Sequence, residues 1–223
     1  MSSTVVAIVP MRHDSERVPG KNFRPLGGRP LYHHIVRSLL ESSRVSRVVI
    51  DTDSDMIKSD AATMFPDTQV LDRPQELRSG MVSMNEVLLN DVKRVDADLF
   101  LQTHSTNPFL RPASIDDAIE RLQEDRIADS LFSVTRLQSR LWSADGLPIN
   151  HDRDRLIRTQ DLEPLYEENS CIYLFSRDSL EAKGNRIGDR PILYELPAEE
   201  SWDIDDESDF FIAEAMYTSG MSH

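Results

Sequence analysis

The run TVVAIVP, Thr4–Pro10, is apolar, rich in β-branched residues and free of charge. It predicts a buried strand. Met11–Arg29, directly after it, carries four arginines and one lysine with little apolar periodicity, and reads as a long polar loop. Pro30 then stands at a helix N1 position, followed by a stripe of Leu31, Ile35, Leu39 and Leu40. Working outward, strands are expected at Arg47–Asp53, Thr68–Leu71, Asp98–Thr103, Ser130–Thr135, Cys171–Phe175 and Ile192–Leu196. Helices are expected at Asp55–Phe65, from a Ser83 cap to about Val95, at Ser114–Glu124 and at Asp206–Thr218. Strand and helix alternate at short spacing through the first 135 residues. That pattern predicts an α/β fold, a Rossmann-like, mostly parallel sheet with helices on both faces. Gln138–Asn169 is irregular, polar and longer than an ordinary connection, so it is expected to be a lid or a subunit-contact element.

Composition narrows the function. The chain has 223 residues, 39% hydrophobic and 29% charged, which suits one folded domain. With 39 acids against 25 bases the net charge is −14, so nucleic acid is not an expected partner. The longest purely apolar run is Val5–Val9, far short of the roughly 20 residues a membrane helix requires. No secretory leader is recognised, and the single Cys171 offers neither an intrachain disulfide nor a multi-cysteine metal site. The expected location is the cytoplasm.

In a sheet of this kind ligands lie off the C-terminal strand edges, where Arg12, Asp53 and Thr103 are expected to converge. Arg12, Arg17 and Lys21 gather fixed positive charge on one Gly/Pro-shaped loop, and Ser15 adds a hydroxyl. Phosphate chemistry uses such donors, although a solvated basic loop has the same composition. The loop has neither the G-x-x-x-x-G-K-[ST] nor the G-x-G-x-x-G pattern. In Trp202-Asp-Ile-Asp-Asp-Glu207, an extended chain sends Asp203 and Asp205 to one side and Ile204 to the other. Two such carboxylates suit Mg²⁺ with substrate phosphates; Asp205 or Asp206 also suits the cap of the last helix, with Glu207 complementing its dipole. Gln102–Arg111 and Asp51–Asp53 are polar strand ends open to a binding or a turn reading. His33 and His34 read as surface or packing residues, and Cys171 as core.

In order along the chain, these segments resemble the acylneuraminate cytidylyltransferases and their CMP-3-deoxy-octulosonate synthetase cousins. Arg12, Ser15, Pro19, Lys21 and Asn22 match the family's A-R-x-x-S-K-x-x-P-x-K-N at the same spacing. Arg73-Pro…Leu77, followed by Ser83, resembles R-P-x-x-L and its helix start. Gln160-Asp-Leu…Asn169-Ser-Cys-Ile-Tyr173 resembles Q-D-L…N-G-x-x-Y, and Asp203-Ile-Asp205…Asp209…Ala213-Glu214 resembles D-I-D…D…A-E. Glu16 stands where the family usually has Lys, Met11 where it has Ala and Ser170 where it has Gly. Alignment from Pro108 sets His104, not Gln102, at the family's glutamine position.

The resemblance implies transfer of CMP from CTP to the anomeric hydroxyl of a 2-keto-3-deoxy sugar acid of sialic-acid type, with pyrophosphate leaving. It implies Arg12, Lys21 and Asp205 as catalytic groups, with Arg12, Ser15, Lys21, Asn22, Arg73 and Ser83 at the nucleotide. Gln102, His104 and Asn169 would meet the sugar, Asp203 and Asp205 would hold Mg²⁺, and an insertion at about 138–168 would form a homodimer. A glycosyltransferase of related fold and a non-catalytic nucleotide-binding relative are the rival readings.

Overall fold

The computed structural model describes residues 3–13 and 18–220. Ser15, Glu16 and Arg17 therefore lie outside the described residues. The opening strand, β1, runs Val5–Met11, and every residue in it is buried. Its alternation explains why it is central: Val5, Ala7, Val9 and Met11 enter the hydrophobic core on one face, Val6 and Ile8 the core on the other. A short hairpin follows, β2 (Pro25–Leu26) with β3 (Arg29–Pro30). Helix α1 (Leu31–Glu41) starts one residue later than expected, with Pro30 as its cap rather than its first turn.

The chain then lays down β4 (Arg47–Thr52), α2 (Asp55–Met64) and β5 (Gln69–Asp72) on one side of β1. After α3 (Met84–Asp91) it crosses back to place β6 (Leu99–Gln102) on the other side. Helix α4 (Pro112–Glu124), β7 (Ser130–Leu137), β8 (Leu165–Phe175), α5 (Arg177–Lys183), β9 (Pro191–Glu195) and α6 (Glu207–Thr218) complete the fold. The sheet order is β5-β4-β1-β6-β8-β7-β9. Pairings β1–β4, β1–β6, β4–β5 and β7–β9 are parallel, whereas β8 runs antiparallel to both β6 and β7. The fold is thus the expected mostly parallel α/β sheet. Helices α1, α2 and α4 bury Ile35, Ile57 and Ile119 against one face; α3 and α5 bury Leu88 and Leu180 against the other.

The β2–β3 hairpin and helix α5 arise where the sequence reading placed no element, and the irregular stretch departs as well. Strand β8 begins six residues before Cys171, so the irregular stretch is shorter than its sequence suggests. What remains is held by side-chain amides rather than by periodic packing. Gln138 Nε2 donates to the carbonyls of Thr159 and Leu162, and Asn150 Nδ2 to that of Ser139. His33 is buried and its Nε2 lies 2.6 Å from Asp60 Oδ2, a packing role rather than a surface one.

A third cluster, Leu26, Leu31, Phe109, Ile204 and Phe210, docks α6 onto the β2–β3 hairpin. Gly27 is required there: its φ is +57°, and an added Cβ would lie 1.9 Å from the Tyr217 ring.

A buried charge cluster closes the end of β4 and β5. Arg73 Nη2 lies 2.5 Å from Asp51 Oδ2, both side chains are almost fully enclosed, and the buried Asp91 of α3 stands in their field. Burial, and then the Asp51 charge, push the Asp91 carboxyl up to about 7. Because folding raises this pKa from 3.8, the folded state keeps a proton that the unfolded state has lost, and stability falls as pH rises from about 4 to about 7. Asp91→Asn should remove that part of the slope and raise unfolding free energy above pH 7 by up to about 4 kcal/mol. Urea titrations from pH 4 to 8 check this; an unchanged slope, or a less stable variant at pH 8, would contradict it.

Candidate active site

Building outward from β1 to β4 and β5, then returning to β6, creates a switch point between β1 and β6. A crevice opens there beyond the carboxyl ends of the strands. Arg12 follows β1 and His104 follows β6, and both line a cavity of about 350 Å³ at this point. Lys21, Arg73, Asp203 and Asp205 line it too. A second cavity, of about 590 Å³, shares Ser170, Asp203 and Asp205 with the first and extends past Asn169, Trp202 and Asp209. Of Arg12, Asp53 and Thr103, expected to converge here, only Arg12 lines a cavity; Thr103 is fully buried and Asp53 lines neither.

Lys21 is fixed by its own ammonium, which donates to the Ile204 carbonyl at 2.7 Å. That carbonyl lies between the two aspartates in sequence, so the cation is delivered to the carboxylates. The Ile204 amide in turn donates to Thr106 O at 3.0 Å, and its side chain is fully buried in the third cluster. The segment is thus pinned on both sides while its aspartates face the cavities.

Asp203 and Asp206 divide the two roles that the sequence left open. Asp206 caps α6, accepting from the amides of Ser208 and Asp209, and Asp209 reaches back to the Asp205 and Asp206 amides. Asp203 and Asp205 are left to line the cavities. Asp203 Oδ1 is buried without a hydrogen-bond partner, and burial raises its carboxyl against the pull of Thr106 and Lys21. A buried, unsatisfied carboxylate oxygen costs free energy that a cation would offset. Among the described residues no group of three or more acidic, His or Cys side chains forms a cation cage. Two carboxylates beside a cationic cavity nevertheless fit Mg²⁺, which takes few protein ligands and completes its shell with phosphates and water.

Arg73 lines the first cavity while its Nε donates to Asp51 Oδ2 at 2.6 Å, so its guanidinium is fixed from below. Asn22 and Ser83 stand behind the cavity wall rather than on it. Asn22 accepts from Ser105 Oγ at 2.7 Å and donates to the Arg12 carbonyl. Ser83 caps α3 in a reciprocal box with Glu86, beside the lining residues Val82 and Met84. Ser79 and Gly80, which the sequence did not single out, line the cavity as well.

On the β6–β8 side His104 lines the first cavity and Asn169 the second. Gln102 does not line either: it is fully buried, donating to Thr103 O and accepting from Arg186. His104 is pushed down to about 3 by desolvation and then by the charges of Arg186 and Lys21. Its imidazole is neutral at neutral pH.

A bulge in β8 builds the boundary between the cavities. Register passes from Phe132–Tyr173 to Val134–Glu168, so several β8 residues oppose a single β7 residue. Asn169 holds the bulge: Oδ1 accepts from Ser133 Oγ at 2.5 Å, and Nδ2 donates to Thr135 Oγ1 at 3.1 Å. Ser170, thrust outward, has φ +59°, and its hydroxyl lies 3.1 Å from that of Tyr173. The left-handed backbone explains why glycine suits this place in the resembled pattern.

A family model described as cytidylyltransferase matches residues 6–200. The N-acylneuraminate cytidylyltransferase of Oncorhynchus mykiss is 28% identical over 94% of this chain and 49% of its own length. The chain thus spans about half of that relative. The CMP-N,N'-diacetyllegionaminic acid synthase of Legionella pneumophila is 27% identical, with 95% of each chain covered. Among solved structures, a CMP:2-keto-3-deoxy-manno-octonic acid synthetase complexed with CTP shares the fold, with TM-score 0.74 at 16% identity. It covers 98% of this chain and 100% of its own.

Ser170→Gly should relieve backbone strain and leave the protein equally stable or more so, by up to about 1 kcal/mol. Ser170→Ala keeps the strain and loses the hydroxyl contact, so it should be less stable than the glycine variant. Urea unfolding of the two variants checks the order; alanine more stable than glycine would contradict it.

Proposed function

The chain belongs to the cytidylyltransferase family, and from that premise we propose that it joins CMP from CTP to the anomeric hydroxyl of a 2-keto-3-deoxy sugar acid of the sialic-acid type. The observation that carries this reading is the shared wall of the two cavities: Asp203 and Asp205 face both, with Arg12, Lys21 and Arg73 on one side. A triphosphate suits the cationic cavity and an acceptor suits its neighbour.

In the proposed reaction the anomeric oxygen attacks the α-phosphorus in line. The bond from that phosphorus to the α–β bridging oxygen breaks, pyrophosphate departs with its electron pair, and the proton of the attacking hydroxyl passes to solvent. Arg12 and Lys21 stabilise charge on the phosphates, and Lys21 is already oriented by Ile204. Arg73, braced by Asp51, holds the nucleotide end, and Asn22, held by Ser105, supports it from behind the wall. Ser83 and, by motif, Ser15 are assigned to the nucleotide as well. His104 and Asn169 meet the sugar, and Gln102 acts from behind them. Asp203 and Asp205 are the residues to hold Mg²⁺, which would supply charge neutralisation for the phosphates and acidify a bound hydroxyl. Most of the catalytic contribution in such chemistry is positioning and fixed electrostatics.

The insertion at about 138–168 presents Trp142, Leu147, Ile149 and Leu156 to solvent, which supports its assignment as the homodimer contact. No helix among the described residues is long and apolar enough to cross a membrane. A cytoplasmic setting is supported by the lone, buried Cys171.

Pyrophosphate release from CTP and Mg²⁺, measured with N-acetylneuraminate, legionaminate and 3-deoxy-octulosonate and with UTP, GTP and ATP as controls, tests the reading. Release with CTP and one acid is expected; CTP binding without release across the acids would contradict it. Arg12→Ala should lower kcat on the order of 10²–10³-fold, and an unchanged rate would remove Arg12 from the mechanism. Asp205→Asn should raise the Mg²⁺ concentration needed for half-maximal rate; a wild-type metal titration would leave Asp205 with no metal role.

A further inference from the structure

We infer that Arg186 is the residue that distinguishes an acid acceptor from a neutral one, its guanidinium receiving the acceptor's carboxylate. The inference rests on the proposed transfer reaction and assigns a recognition group to its acceptor half.

Arg186 lies in the connection between α5 and β9, a polar stretch without a motif. Its backbone amide donates to Asn85 Oδ1 of α3 at 3.2 Å, which fixes the loop to the domain. The guanidinium lies 3.5 Å from the centroid of the Tyr173 ring, and Nη1 donates to Gln102 Oε1 at 2.5 Å. Tyr173 is in β8 and Gln102 ends β6, so the cation stands at the carboxyl-end crevice, on the half opposite Arg73.

Comparison with Arg73 shows what is unusual. Both side chains are largely enclosed, at 2% and 15% exposure. Arg73 has a carboxylate at 2.5 Å, whereas the carboxylate nearest Arg186, Glu168, is 3.9 Å away, beyond hydrogen-bond reach. Glu168 is instead engaged by the Tyr173 hydroxyl. A guanidinium taken out of water needs a carboxylate at contact distance to recover its lost hydration. Here its protein partners in contact are the neutral Gln102 amide and Tyr173, through ring and hydroxyl, with Glu168 only at 3.9 Å. The anion that fits has to come from outside the chain.

Geometry selects the class of anion. Stacking on Tyr173 covers one face of the guanidinium plane, and Gln102 occupies part of its edge, leaving in-plane donors that suit a planar carboxylate. Glu168 and Ser170 line the second cavity, His104 and Ser170 the first. Arg186 is in contact range of the Glu168–Tyr173–Ser170 group and its charge is felt at His104. Arg186 lines neither cavity itself and stands beside the wall they share at Ser170, so the carboxylate in question is one adjacent to the reacting anomeric carbon. Gln102 acquires a role by the same contacts: it orients Arg186.

The test compares N-acetylneuraminate with its C1 carboxamide, which keeps the anomeric hydroxyl and loses the charge, using the full chain with CTP and Mg²⁺. The wild type should favour the acid in kcat/KM. Arg186→Gln and Arg186→Ala should reduce that acid-to-amide preference on the order of 10²-fold through the KM of the acid, with KM for CTP unchanged and Arg186→Lys intermediate. A structural role alone would lower both acceptors together, and an unaltered acid-to-amide ratio overturns the inference. Wild-type inactivity with every sugar acid would overturn the proposed reaction instead. A second measurement needs neither turnover nor a folded variant: phenylglyoxal labelling of Arg186 in the wild type, read by peptide mass spectrometry with CTP present and divalent metal withheld. Protection by the acid and not by the carboxamide is expected. Equal labelling with and without the acid, or no labelling of Arg186 in the free protein, overturns the assignment.

Discussion

The hydrogen bond from Lys21 Nζ to the carbonyl of Ile204 is the constraint on which the site depends. It ties the loop after the first strand to the segment before the last helix, residues 183 apart in the chain. Without it, the cations and the carboxylates would belong to separate surface loops. The third hydrophobic cluster makes the bond possible, because Ile204 and Phe210 bury against Leu26 and Leu31 and carry the C-terminal segment across the crevice. Arg24 reinforces the same junction, its guanidinium lying 4.0 Å from the Phe210 ring centroid and 2.6 Å from Glu207. Fold closure and site assembly are one event. A protein with net charge −14 can thereby hold a local cluster of cations, since their placement is set by backbone and apolar contacts and not by bulk charge.

The sheet divides its carboxyl edge by strand order. Arg73 and Asp51 occupy the β5–β4 end, Arg12 follows the central β1, and His104, Tyr173 and Arg186 gather around β6 and β8. The aspartates of the closing segment lie along both halves. This arrangement gives one site two electrostatic compartments with a common acidic wall, a plan suited to bringing a polyphosphate and a second anion together. The buried Asp51–Arg73 pair illustrates how the proposed nucleotide side is held rigid: its charge is satisfied within the fold, so its contribution is orientation.

Much of this was legible in the sequence, for identifiable reasons. Strand β1 is buried on both faces and its apolar run carries no ambiguity with a surface helix. Ser83 and Glu86 have the spacing of a capping box, and a capping box forms. Asp203 and Asp205 alternate about an apolar residue, and an extended segment with Ile204 buried is what results. The antiparallel direction of β8 was not legible, because a short apolar run such as Cys171–Phe175 has the same pattern in either direction. The order of 138–164 depends on single amide side chains reaching backbone carbonyls, which leave no periodic trace. Gln102 was expected to face the sugar from the family resemblance, yet its strand position buries it. Arg186 has no motif at all; its enclosure, its contact with the Tyr173 ring and its bond to Gln102 set it apart from exposed loop arginines. Ser170 carried a trace, a serine where the resembled pattern has glycine, and its positive φ supplies the reason.

The most direct test is a crystal structure of the protein with CTP and Mn²⁺, using the anomalous signal to locate the metal. The account predicts a metal peak bridging Asp203 and Asp205, the triphosphate against Arg12 and Lys21, and the nucleoside beside Arg73. A metal bound away from both aspartates, or a nucleotide lodged in the cavity beside Asn169 and Trp202, would contradict it.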